Sequence, residues 1–229
     1  MEKLVYLLHK PPAAAMDADF IRRLREELAP ALRARGATGI VLNVADLNEP
    51  VRLAAPSRLV GEWDGLAAAV HLWLDSVDAR FAIEAALAPF ASSLSGYLVT
   101  ESVVQKTPRS WRDGERRPGV TQLAVIAKAP DVSEEDFYHN WQQGHSTLSF
   151  ALHPLRRSYV RNDVARVLTP GARNYRMIVL EHWAELRDFT EDARYFGTPE
   201  VLLEMYRELP GFADSSSTTT GPMSEYAFG

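Results

Sequence analysis

Apolar positions recur along the chain with two alternating periods, and the places where the period changes predict its elements. "KLVYLLHKPP" is a short apolar run closed by proline, which reads as a strand. From Asp17 to Arg35, Phe20, Leu24, Leu28 and Leu32 return every four residues, the spacing of one helix face. "TGIVLNVADL" and, after a proline-bearing loop, "GLAAAVHLWLD" have strand composition. "SVDARFAIEAALAPF" returns to helical spacing and "SGYLVTESVVQ" to strand, so the first half reads βαββαβ.

The order then repeats. "VTQLAVIAKAP" reads as strand, Ser133 to Gly144 as helix, "RSYVRNDVARVL" and "YRMIVLEHWAE" as strands, and "LRDFTEDARYF" as helix. A short helix from Pro199 to Leu209, with proline in its first turn, and a last strand in "MSEYAFG" complete the half. The halves overlay at "LLHKPP" on "VIAKAP", at Asp19-Phe20 on Asp136-Phe137, and at "WLDSVD" on "WAELRD", which sets Trp73 against Trp183. Each unit builds a four-stranded sheet with helices on one face, and its bare apolar face needs a cover. The expected fold is therefore α+β: two tandem ferredoxin-like βαββαβ units packed sheet to sheet as an intramolecular pseudo-dimer, with clefts between each sheet and its helices. The expected division is 1–106 for the first repeat, 107–118 for a Pro/Gly/Arg-rich linker and 119–229 for the second repeat. The linker reads as a solvated connector anchored by Trp111, and "SSSTTT", Ser215 to Thr220, as a mobile surface loop or lid.

At 229 residues and 46% hydrophobic content the chain can bury a sizeable core. Its 25 basic and 30 acidic residues, a formal charge of -5 without long single-sign runs, argue against a nucleic-acid surface. Zero cysteines remove disulfides, thiolate metal sites and cysteine nucleophiles, and fit a cytoplasmic protein. No apolar run approaches membrane-spanning length and no signal peptide is evident, so a soluble protein is expected. The expected partner is a small-molecule substrate, with neither nucleic acid nor membrane. The internal repeat makes a monomer sufficient, and a homodimer is the alternative.

"FYHNWQQGH" carries the chemistry. Ser133 followed by three carboxylates is a helix N-cap, which starts the helix near Glu134. Phe137, Trp141 and His145 then share one face, and Gly144 is expected to end the helix with His145 on its C-terminal lip. The aligned positions of the first half are Phe20, Leu24 and Leu28, so leucine suffices for packing. His145 is either a structural histidine bonded to backbone or a group carried to a cleft, and the residues alone leave both readings open.

The stretch Leu123 to Asn162 resembles the opening of an EthD-type domain of the dimeric α+β barrel superfamily. The marks are the strand ending in Lys128, the acid-capped helix with Phe137, Trp141 and His145, then Pro154 and the "RRSYV" strand. "YRMIVLEHWAELRDF" and "GFADSSS" are similar to that family's second half; coverage is about residues 119–229, with the first half a degenerate copy. The resemblance implies a cofactor-independent small-molecule enzyme of catabolic or secondary metabolism. Within the superfamily the alternatives are a non-catalytic ligand-binding protein and a monooxygenase or haem-using member. It also implies His145 as the site residue, with Trp141 and Phe137 as wall or support.

A histidine exchanges protons near neutral pH, which suits enolisation, elimination, retro-aldol cleavage or cyclisation of an aromatic or carbonyl-bearing metabolite, as in a lyase or isomerase. Candidate helpers come from strand alternation. On "RRSYV" it sets Arg157 and Tyr159 on one face, suited to hold a phenolate or carboxylate, or else an outward ion pair and a packing aromatic. On "YRMIVLEHWAE" Glu181 shares a side with Met177, Val179 and Trp183, opposite His182, as a candidate base or a partner for Arg or His. Trp183 and His71, which occupies the place of Glu181 in the first half, join the expected substrate-binding set; a structural Glu181–His71 contact across the repeats is the alternative. His139 and His145 lie on different helix faces and His153 is a weak third ligand, so no metal is expected. No cofactor motif is present, and no cofactor is expected.

Overall fold

A computed structural model describes residues 1–10 and 17–229. The prolines read as closing the first strand, Pro11 and Pro12, lie outside the described residues. The strands are β1 (Glu2–His9), β2 (Thr38–Val44), β3 (Leu66–Leu74), β4 (Ser93–Gln105), β5 (Val120–Lys128), β6 (Arg156–Val167), β7 (Met177–Trp183) and β8 (Ala213–Phe228). They close an antiparallel barrel in the order β1-β3-β2-β8-β5-β7-β6-β4. The two halves occupy successive arcs, β4-β1-β3-β2 and β8-β5-β7-β6, and join edge to edge through β2–β8 and β4–β6 pairing. The halves thus form one closed barrel, which leaves no open sheet edge. Among the described residues no helix is long and apolar enough to cross a membrane.

Strand alternation divides the core. Val5, Leu7, Ala69, Tyr97, Leu123, Val125, Ile178 and Met223, from both halves, pack together in the lumen. Outside the first half, Leu4, Tyr6, Leu8, Val70 and Leu72 pack under Leu24, Leu28 and Leu32 of the helical run Ala18–Arg23, Leu24–Leu28 and Ala29–Arg33. Outside the second half, Ala124, Tyr159, Met177 and Val179 pack under Phe137 and Trp141. The overlay of Trp73 on Trp183 is displaced by one residue. His71 alternates with lumen-facing Ala69, whereas Glu181 alternates with outward Val179. Because side chains repeat every two residues, that slip exchanges faces. His71 is buried inside the barrel with both ring nitrogens unpaired, and it meets neither Glu181 nor the cleft residues beside it.

Four local expectations change. The Ser133 cap holds, its side chain accepting from Asp136 N at 3.0 Å, but the helix does not stop at Gly144. It runs through Glu134–Tyr138, a π-helical segment His139–His145, and Ser146–Leu152. Gly144 does not adopt the positive φ of a helix-ending glycine, so His145 stands mid-helix. "SSSTTT" is part of β8: Thr218 to Thr220 pair with Ile126 to Ala124 of β5, whereas Ser215 to Ser217 fall in a register shift before Asp214 pairs with Ala127. The threonines suit a pleated surface, and there ladder bonds replace the solvent a loop would need, while the serines stay at the largely exposed bulge. The 107–118 segment is mostly exposed around a half-buried Trp111, as a solvated connector would be, but Arg117 is buried: it pairs with Glu225 at 3.1 Å, and its guanidinium lies 4.9 Å from the Trp111 ring. The proline-bearing loop between β2 and β3 contains a helix, Asn48–Ala54, and docks on β8 through paired Val60–Thr220 backbone bonds of 2.9 and 3.0 Å. Gly61 turns there with φ 72, where an added Cβ would strike the Thr218 carbonyl, so only glycine fits.

Candidate active site

Under the second-half helices the outer barrel wall is hollow. A cavity of about 270 Å³ lies between β5, β6, β7 and β8 on one side and residues of the 134–152 helix, the helix Pro199–Glu208 and Leu209–Gly211 on the other. Its wall is mainly apolar, including Trp141, Leu152, Met177, Val179, Met205 and Phe212. The corresponding space in the first half is filled by leucine.

His145 lines this cavity with its side chain 19% exposed. Its Nδ1 lies 2.5 Å from Glu208 Oε1, and its ring lies 5.0 Å from that of Phe212. A carboxylate accepts only, so Nδ1–H donates to Glu208, and Nε2 has no partner among the described residues. A carboxylate that fixes tautomer and ring orientation is the arrangement a general base requires.

Tyr159, Glu181 and His153 line the same cavity. Burial, and then the Glu181 charge, pushes the Tyr159 phenol up to about 12, so it stays protonated. Its oxygen lies 3.4 Å from Ser146 Oγ, which also receives Arg161 Nη1. Burial acts to raise the Glu181 carboxyl, but the Arg156 guanidinium outweighs it and holds it below the ordinary value. Glu181 is therefore an ionised partner of Arg156 rather than a base. Burial lowers the His153 imidazole, which donates from Nδ1 to the Tyr195 carbonyl at 2.9 Å. His153 thus serves as a neutral wall residue packed on Trp183 and Tyr195.

Of the residues singled out from sequence, His145, Tyr159, Glu181 and Trp141 meet at the cavity. Phe137 stands behind Trp141 at 5.5 Å between rings, and Trp183 stacks behind Tyr195 at 5.0 Å; both are fully buried supports without a cavity surface. Arg157 is not in the site. The β6–β7 register shifts between Arg156 and Ser158, so Arg157 is an extra residue that turns out to solvent and Arg156 takes the Tyr159 side. The Arg156 side chain is fully buried, with Nη1 on Glu181, Nη2 on Ser149 Oγ at 3.1 Å and Nε on Gln105 Oε1 at 3.1 Å.

Sequence reasoning missed Arg156, Glu208, Arg58 and the pair Gln122–Tyr195. Arg58 arrives from the β2–β3 excursion, bonds the Phe189 carbonyl at 2.9 Å and Asp192 at 2.7 Å, and covers the Tyr195 ring at 3.9 Å. Tyr195 donates to Gln122 Oε1 at 2.7 Å, and Gln122 donates to Thr220 Oγ1 at 2.8 Å. Only Gln122 left a local signal, an amide on the outward face of an apolar strand. Among the described residues no group of three or more acidic or histidine side chains is placed to hold a metal ion.

The barrel is shared with solved structures. An anthrone oxidase-like protein superposes with a TM-score of 0.63 at 12% identity, over 100% of this chain and 93% of its own. The chain shares with it the α+β barrel fold. Two proteins provisionally assigned as monooxygenases superpose as well. One, from Fusobacterium nucleatum subsp. nucleatum, has a TM-score of 0.56 at 9% identity, over 100% and 92% of the two chains. The other, from Lactobacillus acidophilus NCFM, has a TM-score of 0.52 at 12% identity, over 99% and 97%. At such identities the α+β barrel likeness concerns the fold alone. No family profile matches the chain, and no curated protein matches it.

Proposed function

We infer that this α+β barrel, a tandem of ferredoxin-like units of EthD-like type, is a small-molecule enzyme. It moves a proton on an aromatic or carbonyl-bearing metabolite, in lyase or isomerase chemistry. The observation that carries the reading is the His145–Glu208 pair at 2.5 Å, opening with Nε2 free onto an apolar cavity. His145 Nε2 takes the proton from an activated C–H or phenol, and Glu208 stabilises the imidazolium. Tyr159, held as a phenol, donates a hydrogen bond to the developing oxyanion. The dry wall strengthens each of these interactions.

A second reading shares the first step. The carbanion or phenolate formed at His145 reacts with dioxygen, as the fold likeness to an anthrone oxidase-like protein and to monooxygenases suggests. A haem does not fit this cavity, whose volume of about 270 Å³ lies below the range for drug-sized ligands.

The test is solvent exchange. Phenyl ketones and phenolic metabolites are incubated in D2O with the protein, and α-proton loss is followed by NMR, with oxygen uptake recorded in parallel. His145→Gln is expected to slow exchange by about 10²- to 10⁴-fold with an unchanged melting temperature. Equal exchange by both proteins would leave a ligand-binding protein instead of an enzyme, and uptake of oxygen that depends on His145 would select the second reading.

A further inference from the structure

The reactive chamber is not the end of the apolar surface. A groove of about 650 Å³ adjoins it, and Val60, Ile126, Leu209 and Thr218 line both spaces. Those four residues are a neck, contributed by the β2–β3 excursion, β5, the turn after the helix Pro199–Glu208, and β8. Beyond the neck the groove is floored by Ala129, Pro130, Val132 and Ala213, and walled by Pro210 and Tyr206. Tyr206 is 59% exposed, a large aromatic left in solvent beside an apolar channel. The groove's charged residues are two carboxylates, Asp131 and Asp214, with no cation among its lining.

We propose that the substrate of the His145 chamber carries a long, uncharged apolar substituent that leaves through this neck and lies along the outer groove. The inference rests on the acid/base reading of His145 and extends it to a substrate class: a reactive ring or carbonyl head with an acyl- or alkyl-like tail. The chamber, about 270 Å³, takes a single small head group, and the larger groove adjoins it across the four shared side chains. Apolar floor rewards each methylene laid on it, by roughly two- to fourfold in affinity at partial to full burial. Asp131 and Asp214 select against an anionic tail, because like charges at the groove repel and neither has a cation there to neutralise it.

The helix Pro199–Glu208 joins the two spaces. It contributes Tyr206 to the groove, Met205 to the chamber and Glu208 to His145. A tail resting on Tyr206 therefore packs on the element that orients the base.

The experiment measures calorimetric Kd for acetophenone, butyrophenone and octanophenone, and for octanophenone's counterpart with a terminal carboxylate. Affinity is expected to rise by at least about tenfold across the neutral series and to fall for the carboxylate. Tyr206→Ala, at an exposed position, and Ala213→Phe, which fills the floor, are each expected to flatten the chain-length dependence. Affinity independent of chain length, or a gradient untouched by both variants, overturns the groove. Tighter binding of the carboxylate overturns the uncharged tail. Because binding is read without turnover, loss of the groove is distinguishable from loss of the acid/base reading, which the exchange rate of His145→Gln decides on its own.

Discussion

Arg156 and Arg157 are adjacent in sequence and have opposite surroundings. One extra residue in β6 sets Arg156 against Glu181, Ser149 and Gln105 and turns Arg157 out. Breaking a buried ion pair by removing one partner leaves the other charge desolvated, at a cost of about 3–5 kcal/mol. Arg156→Met is therefore expected to lower unfolding free energy by that order, whereas Arg157→Met stays within about 0.5 kcal/mol of the wild type. Urea denaturation of the two variants checks this; equal effects would mean that the bulge is misplaced. The same scale explains the division of labour among carboxylates. Glu181 is committed to Arg156, while Glu208 reaches His145 from the rim, so the latter orients the histidine and the former orients the wall.

At the scale of elements, the 134–152 helix departs from its expected end at Gly144. A glycine that stops a helix adopts a left-handed backbone, and alanine there is strained. Gly144 has no positive φ, and a Cβ added to it would meet only Glu208 Oε2 at 3.9 Å, an ordinary contact. Gly144→Ala is expected to raise stability by about 0.4–1 kcal/mol, read as a higher denaturation midpoint; a drop would restore the terminating role. Both halves carry a π-helical segment in this helix, Leu24–Leu28 and His139–His145. In the first half the segment presents Leu24 and Leu28 to a filled core, and in the second it presents Trp141 and His145 to a cavity. The two segments thus cover different stretches of barrel wall, one closed over by leucine and one left hollow beside Trp141 and His145.

At the scale of the whole molecule, the barrel buries histidines in its interior and wall. Burial lowers His71, His153 and His182; for His182 burial, followed by the nearby Arg117 charge, brings the value to about 3. The unfolded chain takes up these protons near pH about 6.5, and the folded chain does so only at lower pH. Their contribution to stability is therefore complete above about 6.5 and is lost as pH falls toward the depressed folded values. Unfolding free energy is expected to decline from pH 7 toward pH 4, and His182→Gln to remove up to about 1.4 kcal/mol per pH unit of that slope. Denaturant titrations across the range check it, and an identical slope in the variant would refute the burial of a neutral His182. Glu181 adds a later step: its lowered folded value gives stability above the ordinary carboxylate range that is lost below it.

What was legible in the sequence is what depends on near neighbours. Two-fold and 3.6-fold periodicities named the strands and the main helices, the Ser133 cap named a helix start, and the resemblance of the second half pointed to the α+β barrel. Trp141 and His145 were found together because one helix face carries them. The rest depends on chain segments that meet only on folding. Glu208 lies 63 positions from the histidine it holds, and Arg58 lies 131 from the Phe189 carbonyl it binds. A single bulged residue exchanged Arg157 for Arg156, and a one-residue slip separated His71 from Glu181, since alternation reverses with each residue and no local pattern counts such insertions. The sequence by itself determined the elements and their apolar faces. Only packing decided where the faces failed to fill the space between them, and that unfilled space is the site.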